Sequence, residues 1–167
     1  IQNIYYMLSY AFQVLKESGY TSCAAEDFEN TADLLSAILI KGVTTQVKRG
    51  LFREYKEYHE PLSSLRGKIS LSESIKQQSI TKQQLVCSYD DFSLDSYHNR
   101  ILKTTIESLL RADIPKSRKK GLRNLLFYFK DVGILSPYDI DWNLRFNRHN
   151  QTYQMLLSIC YLVLKGL

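Results

Sequence analysis

The sequence predicts an α+β protein, a mainly helical body with an inserted small antiparallel β-rich finger. Apolar residues recur at helical spacing before residue 51 and after residue 91, whereas alternation appears only between those limits. At the centre of that window, Leu65-Arg-Gly-Lys-Ile69 follows a polar turn, Pro61 to Ser64, and leads into the alternating Ile69 and Leu71. Pro and Ser suit a turn and Gly67 permits positive φ, so the stretch reads as a projecting β-hairpin. On a strand, Arg66 and Lys68 would point to the same side. The expected division is 1–50 helical, 51–91 β-rich and 92–167 helical, within one domain.

Taken in order, Ile4, Met7, Leu8, Ala11, Phe12 and Leu15 predict a helix over Asn3–Lys16, ended by Gly19, and Glu17 to Asn30 reads as a polar loop. Asn30 or Thr31 caps a second helix whose buried face is Leu34, Leu35, Ile38, Leu39 and Val43, and which closes at Lys48-Arg49-Gly50. Leu51–Glu60, Ile69–Leu71 and Leu85–Tyr89 read as strands, with Ser72–Lys82 a short helix or a long loop. Ser93 or Asp95 then caps a helix carrying Ile101, Leu102, Thr105, Ile106, Leu109 and Leu110 on one face. Pro115 separates it from a further helix with Leu122, Leu125, Leu126, Phe129 and Val132. After a turn at Ser136-Pro137, a last helix from about Asn150 turns Tyr153, Leu156, Leu157, Cys160, Val163 and Leu164 inward.

A chain of 167 residues, 44% apolar and 23% charged, is long enough to bury a core without disulfides or metal. Cys23, Cys87 and Cys160 are odd in number and widely spaced, which suits reduced thiols in the cytoplasm and neither a disulfide framework nor a zinc site. No apolar run reaches bilayer length. A net charge of +5 permits an acidic partner without requiring one.

Chemistry-bearing patterns are sparse. Glu54-Tyr-Lys56 imitates part of a metal-dependent nuclease site, which needs a second carboxylate on a neighbouring strand; Asp27 in a loop and Asp33 in a helix turn are poor partners, so a solvated strand is the simpler reading. His59, His98 and His149 lie far apart, and neither a nucleophile elbow nor a phosphate loop is present. No catalytic residue, metal ligand or cofactor is therefore assigned to this chain. Lys116, Arg118, Lys119, Lys120 and Arg123 form the densest positive charge; they can grip the phosphates of a nucleic acid or simply be solvated. Arg145, Asn147, Arg148 and Asn150 can clamp an anion at a helix start, or serve capping and packing against Trp142.

Five blocks carry a resemblance. Asn3-Ile-Tyr-Tyr-Met-Leu-Ser-Tyr-Ala11, Gly50-Leu-Phe-Arg-Glu-Tyr55 and Leu62-Ser-Ser-Leu-Arg-Gly-Lys-Ile69 come first. Cys87-Ser-Tyr-Asp-Asp-Phe-Ser93 with Asn99-Arg-Ile-Leu-Lys-Thr104, and Asn147-Arg-His-Asn-Gln-x-Tyr153, follow. In this order they resemble the N-terminal region of the McrC family, subunits of modification-dependent restriction systems; Gln2 departs from the basic residue of many relatives. The resemblance implies a cytoplasmic defence component whose finger enters the pore of an McrB-like AAA+ GTPase hexamer and stimulates GTP hydrolysis. It makes Arg53, Arg66 and Lys68 the candidate partner contacts, and leaves GTP and Mg to the partner. It also implies a PD-(D/E)xK nuclease, with its own Mg, in a domain beyond the equivalent of Leu167, so Glu54 and Lys56 inherit no catalytic role. DNA is then met chiefly through the partner and that domain. A phosphate-gripping DNA-binding module and a nuclease fragment with an incomplete site remain as alternatives.

Overall fold

The computed structural model describes residues 29–146 and 153–166. The expected helix Asn3–Lys16, Cys23 and the segment from Asn147 to Gln151 lie outside the described residues. The fold is α+β, and the chain divides into two compact units, one of residues 1–52 and 95–167 and one of Arg53–Leu94.

In the first unit, α1 spans Thr31–Arg49. Asn30 caps it by accepting the Asp33 backbone N–H at 2.9 Å, and its amide donates to the Asp113 carbonyl, also at 2.9 Å. Leu35, Ile38, Leu39 and Val43 are buried as expected, while Leu34 is half-exposed. The helix stops at Gly50, whose φ of 99° suits a residue without a side chain. α3 spans Tyr97–Arg111, α4 Lys116–Leu126 and α5 Tyr153–Gly166. The cap of α3 is Ser96, which accepts the Asn99 N–H, and not Ser93 or Asp95. Asp95 is otherwise engaged: it takes both arms of the Arg100 guanidinium and the Gly133 N–H at 2.8 Å. Leu110 and Leu164 are half-exposed, at the edges of their apolar faces. α4 ends before the expected helix does, giving way to a 3-10 turn over Phe127–Phe129 that still buries Phe129.

The second unit holds β1 (Glu54–Leu62), β2 (Lys68–Ile69), α2 (Leu71–Lys76), a 3-10 turn (Ser79–Lys82) and β3 (Leu85–Ser93). The sheet order is β1-β3-β2, antiparallel throughout. β1 and β2 therefore do not form the expected hairpin; each pairs with β3 from opposite edges. β3 takes the centre because Val86 and Cys87 are both fully buried, so it is covered on both faces, whereas β1 is buried on neither. Pro61 and Leu62 belong to β1 and not to the turn. Val86, opposite Pro61, spends both backbone groups on the far side, accepting from Ser70 N and donating to Ser74 Oγ, each at 2.8 Å. Pro61 thus occupies a pair that exchanges no hydrogen bond, on an edge strand where its missing N–H is harmless. Leu71 opens α2 instead of ending a strand, and β2 is only two residues long.

Candidate partner-binding site

The β-rich unit displays its chemistry on two faces. Directly opposed residues of an antiparallel pair share a face, so Glu54, Lys56, Tyr58 and Glu60 lie with Asp91, Tyr89 and Cys87, and Tyr55, Glu57 and His59 lie with Phe92, Asp90 and Ser88. Rings meet on both: Tyr58 stacks on Tyr89 at 5.5 Å, and Tyr55 meets Phe92 at 4.9 Å. The Tyr89 hydroxyl donates to Glu60 at 2.7 Å, which holds that phenol above its ordinary pKa.

Arg66 lies outside any strand, in the loop before Gly67, and its guanidinium reaches back over β3. It sits 4.3 Å from the centre of the Tyr89 ring and donates to Asp91 at 3.2 Å, with both partners of the ion pair about half exposed. Lys68 pairs with Ser88 and so belongs to the other face. The two cations therefore do not point to the same side, because Gly67, at φ +67°, breaks the strand between them. A side chain could not take its place: a Cβ there would lie 2.3 Å from the Ser88 carbonyl and 2.7 Å from Tyr89 Cβ. Arg53 is exposed just before β1, whose first residue faces Ser93, five residues from Ser88 along β3. Arg53, one residue further out and across β3 from Lys68, is therefore about 20 Å or more from it. The three cations are spread along the unit and do not cluster.

His59 bridges three elements. Nδ1 meets Ser88 Oγ on β3 at 2.5 Å, and Nε2 meets Glu73 on α2. The connectivity is that of a Ser-His-Glu relay, but the histidine and glutamate are each more than two-fifths exposed, where a relay lacks the water exclusion that makes it useful. Its part is to tie α2 to the sheet. Among the described residues no group of three His, Cys, Asp or Glu side chains is placed to hold a metal. Glu54 and Lys56 sit on an edge strand, and, against expectation, the neighbouring β3 does set a carboxylate on their face, Asp91 opposite Lys56; that carboxylate is held by Arg66.

In the helical unit the structure joins residues that the sequence offered separately. Tyr153 accepts the Phe52 N–H at 2.8 Å and donates to Asn99 Oδ1 at 2.8 Å, while the Asn99 amide donates to the Phe52 carbonyl at 2.8 Å. This closed ring satisfies both backbone groups of the last residue before the β-rich unit. Burial pushes the Tyr153 phenol up to about 12. Periodicity had placed Tyr153 only on an apolar face. The available signal was that Phe52, Asn99 and Tyr153 fall in three of the resemblance blocks.

The basic run divides as well. Arg118 donates to Asp33 at 2.8 Å, an almost wholly buried carboxylate, and so fastens α4 to α1. Lys116, Lys120 and Arg123 are exposed and Lys119 half-exposed. Arg145 is exposed as well.

The model of the McrBC 5-methylcytosine restriction system component family matches residues 2–167. The chain belongs to that family. Among McrBC relatives, the Escherichia coli K12 type IV methyl-directed restriction enzyme EcoKMcrBC is 28% identical over 170 residues, covering 99% of this chain and 48% of its own length. The chain thus spans about half of that relative. The fold is shared with a chain of the Thermococcus gammatolerans McrBC complex, at TM-score 0.66 and 21% identity over 83% of this chain and 42% of the other. A half-complex of McrB AAA+ hexamers with bound McrC, from the same organism, matches at TM-score 0.67 and 21% identity, over 83% of this chain and 34% of the other. No helix among the described residues is long and apolar enough to cross a membrane.

Proposed function

We propose that this chain is the ring-docking part of an McrC-type subunit and that its β-rich unit, Arg53–Leu94, contacts the pore of an McrB-like AAA+ hexamer and stimulates GTP hydrolysis there. The observation that supports it most is the shared fold with a chain of an assembly in which McrB hexamers carry bound McrC. The β-rich unit suits the task because its apolar and basic side chains lie largely at the surface. Leu65, Leu71 and Ile75 are each at least 60% exposed, and Lys68 is exposed beside them in sequence. Such a contact raises a partner's turnover by favouring one arrangement of its site, and needs no chemistry of this chain. GTP and Mg are then the partner's. Cleavage of DNA belongs, on this reading, to the remainder of the longer relatives, with cytoplasmic DNA as the target.

The test is GTP hydrolysis by a cognate McrB-type ring protein, titrated with this chain. Hydrolysis should rise and saturate at a fixed ratio of chain to hexamer. A chain that neither binds the ring nor changes its turnover would remove the proposal.

A further inference from the structure

The helical unit carries a groove of about 770 Å³ between α1 and α4. Ile40, Val47 and Leu125 give it apolar walls, Lys48 and Arg123 bring cations, and Phe127 and Tyr128 complete the lining with rings that are 64% and 50% exposed. Beside it, Lys116, Lys120 and Arg123 fall at positions i, i+4 and i+7 of α4, which puts three exposed cations on one face over about 10 Å. Phe127 continues that face, with the Lys130 ammonium 3.9 Å from its ring centre. No carboxylate offsets this charge from within either helix. α4 has no acidic residue, and the acidic residue of α1, Asp33, is held by Arg118.

A polyanion is the occupant such charge favours, and the rings decide which kind. Exposed aromatic faces beside a cationic track are what unstacked bases use, while a duplex keeps its bases stacked inside and a run of Asp and Glu brings no aromatic ring to lay on them. We infer that this groove binds an extended single strand of nucleic acid, its phosphates along Lys48, Lys116, Lys120 and Arg123 and its bases against Phe127 and Tyr128. This site is separate from the β-rich unit and does not rest on ring docking, so either can fail without the other.

Fluorescence anisotropy with a labelled oligothymidylate of about 15 nucleotides tests it. Binding should weaken steeply with salt, and a Lys120→Ala/Arg123→Ala double substitution should lower the slope of log affinity against log salt by about 1.4. Phe127→Ala should weaken strand binding by about fivefold or more while leaving binding to a duplex of the same length unchanged. All three positions are exposed, and an unchanged melting curve confirms that the variants fold. The inference is overturned by the absence of salt-dependent binding, by binding indifferent to these substitutions, by equal loss for strand and duplex in Phe127→Ala, or by displacement of the strand by polyglutamate at matched charge.

Discussion

The helical unit and the β-rich unit are held together by different physics. Ile38, Leu39, Ile101, Leu102, Ile106 and Leu109 are all fully buried in the first. In the second, Val86 and Cys87 are the apolar residues so buried, and Tyr55, Leu65, Leu71, Ile75, Ile80 and Phe92 stand in solvent. The helical unit is thus stabilised by removing apolar surface from water, and the β-rich unit by cross-strand pairs of about 0.2–1 kcal/mol each and a few surface contacts. The difference teaches where to look for function. A small unit that leaves its large apolar side chains outside gains little stability from them, so they are better explained by something that covers them.

The comparison breaks most readily at the core. Ile106→Ala should cost about 2–5 kcal/mol of stability, read as a lowered denaturation midpoint, because a fully buried branched side chain leaves a cavity. If the loss is below about 1 kcal/mol, the helical unit is not the stable half. In the β-rich unit no truncation of an exposed side chain should match that, but one enlargement should come close. Gly67→Ala should cost about 2 kcal/mol or more, since a left-handed φ and a collision with the Ser88 carbonyl act together. Hydrogen exchange should show the loss confined to β2 and β3, and protection unchanged at Ser88 would mean that the strand does not need this close approach.

Tyr153→Phe sits between these extremes, at about 1–3 kcal/mol, because it strands the Phe52 N–H and Asn99 Oδ1 without their partner. Equal stability of the two proteins in chemical denaturation would show that water replaces the hydroxyl. The same tyrosine sets an alkaline limit together with Cys160, which burial pushes from 9.0 up to about 12. Both groups hold their protons more tightly folded than unfolded. Their contribution is therefore complete below pH 9 and is lost as pH rises from 9 through 12. The melting temperature should fall across this range, with the fall beginning at higher pH in Cys160→Ala; an identical curve for that variant would exclude the thiol as a cause.

Local patterning and non-local pairing were unequally legible in the sequence. The 3.6-residue period found the buried faces of α1, α3 and α5, because each helix packs one stripe and exposes the rest. The strand positions were legible within a few residues, but the order of the strands was not. Val86 and Cys87 are adjacent and both buried, so β3 lacks the alternation that would have marked it as half-covered, and nothing in Pro61 to Ile69 says that β2 must pair beyond it. The same limit hid the roles of particular cations. Arg118 reads as one of a basic cluster until Asp33, 85 residues away, is seen beside it. Arg66 likewise finds Asp91 and Tyr89 only once β3 is in place.

Arg66 gives the smallest expected effect on stability and the sharpest test of the comparison. Its ion pair with Asp91 is half exposed, where such pairs are worth about 0–1 kcal/mol, and its place over Tyr89 adds about 0.5–1 at an exposed site before side-chain entropy is subtracted. Arg66→Ala should therefore lower the melting temperature by no more than a few degrees. Yet the contacts with Asp91 and Tyr89 hold the guanidinium in one orientation, and a pre-ordered arginine that becomes desolvated in a partner costs about 2 kcal/mol or more when truncated. Stimulation of a cognate ring should then fall several-fold in Arg66→Ala, and Arg66→Lys should recover little of it, since lysine keeps the charge but not the planar fork. A variant that loses stability by more than about 2 kcal/mol would make Arg66 a structural strut of the β-rich unit. A variant that keeps both stability and full stimulation would move the partner contact to Lys68, Arg53 or the exposed apolar residues around them.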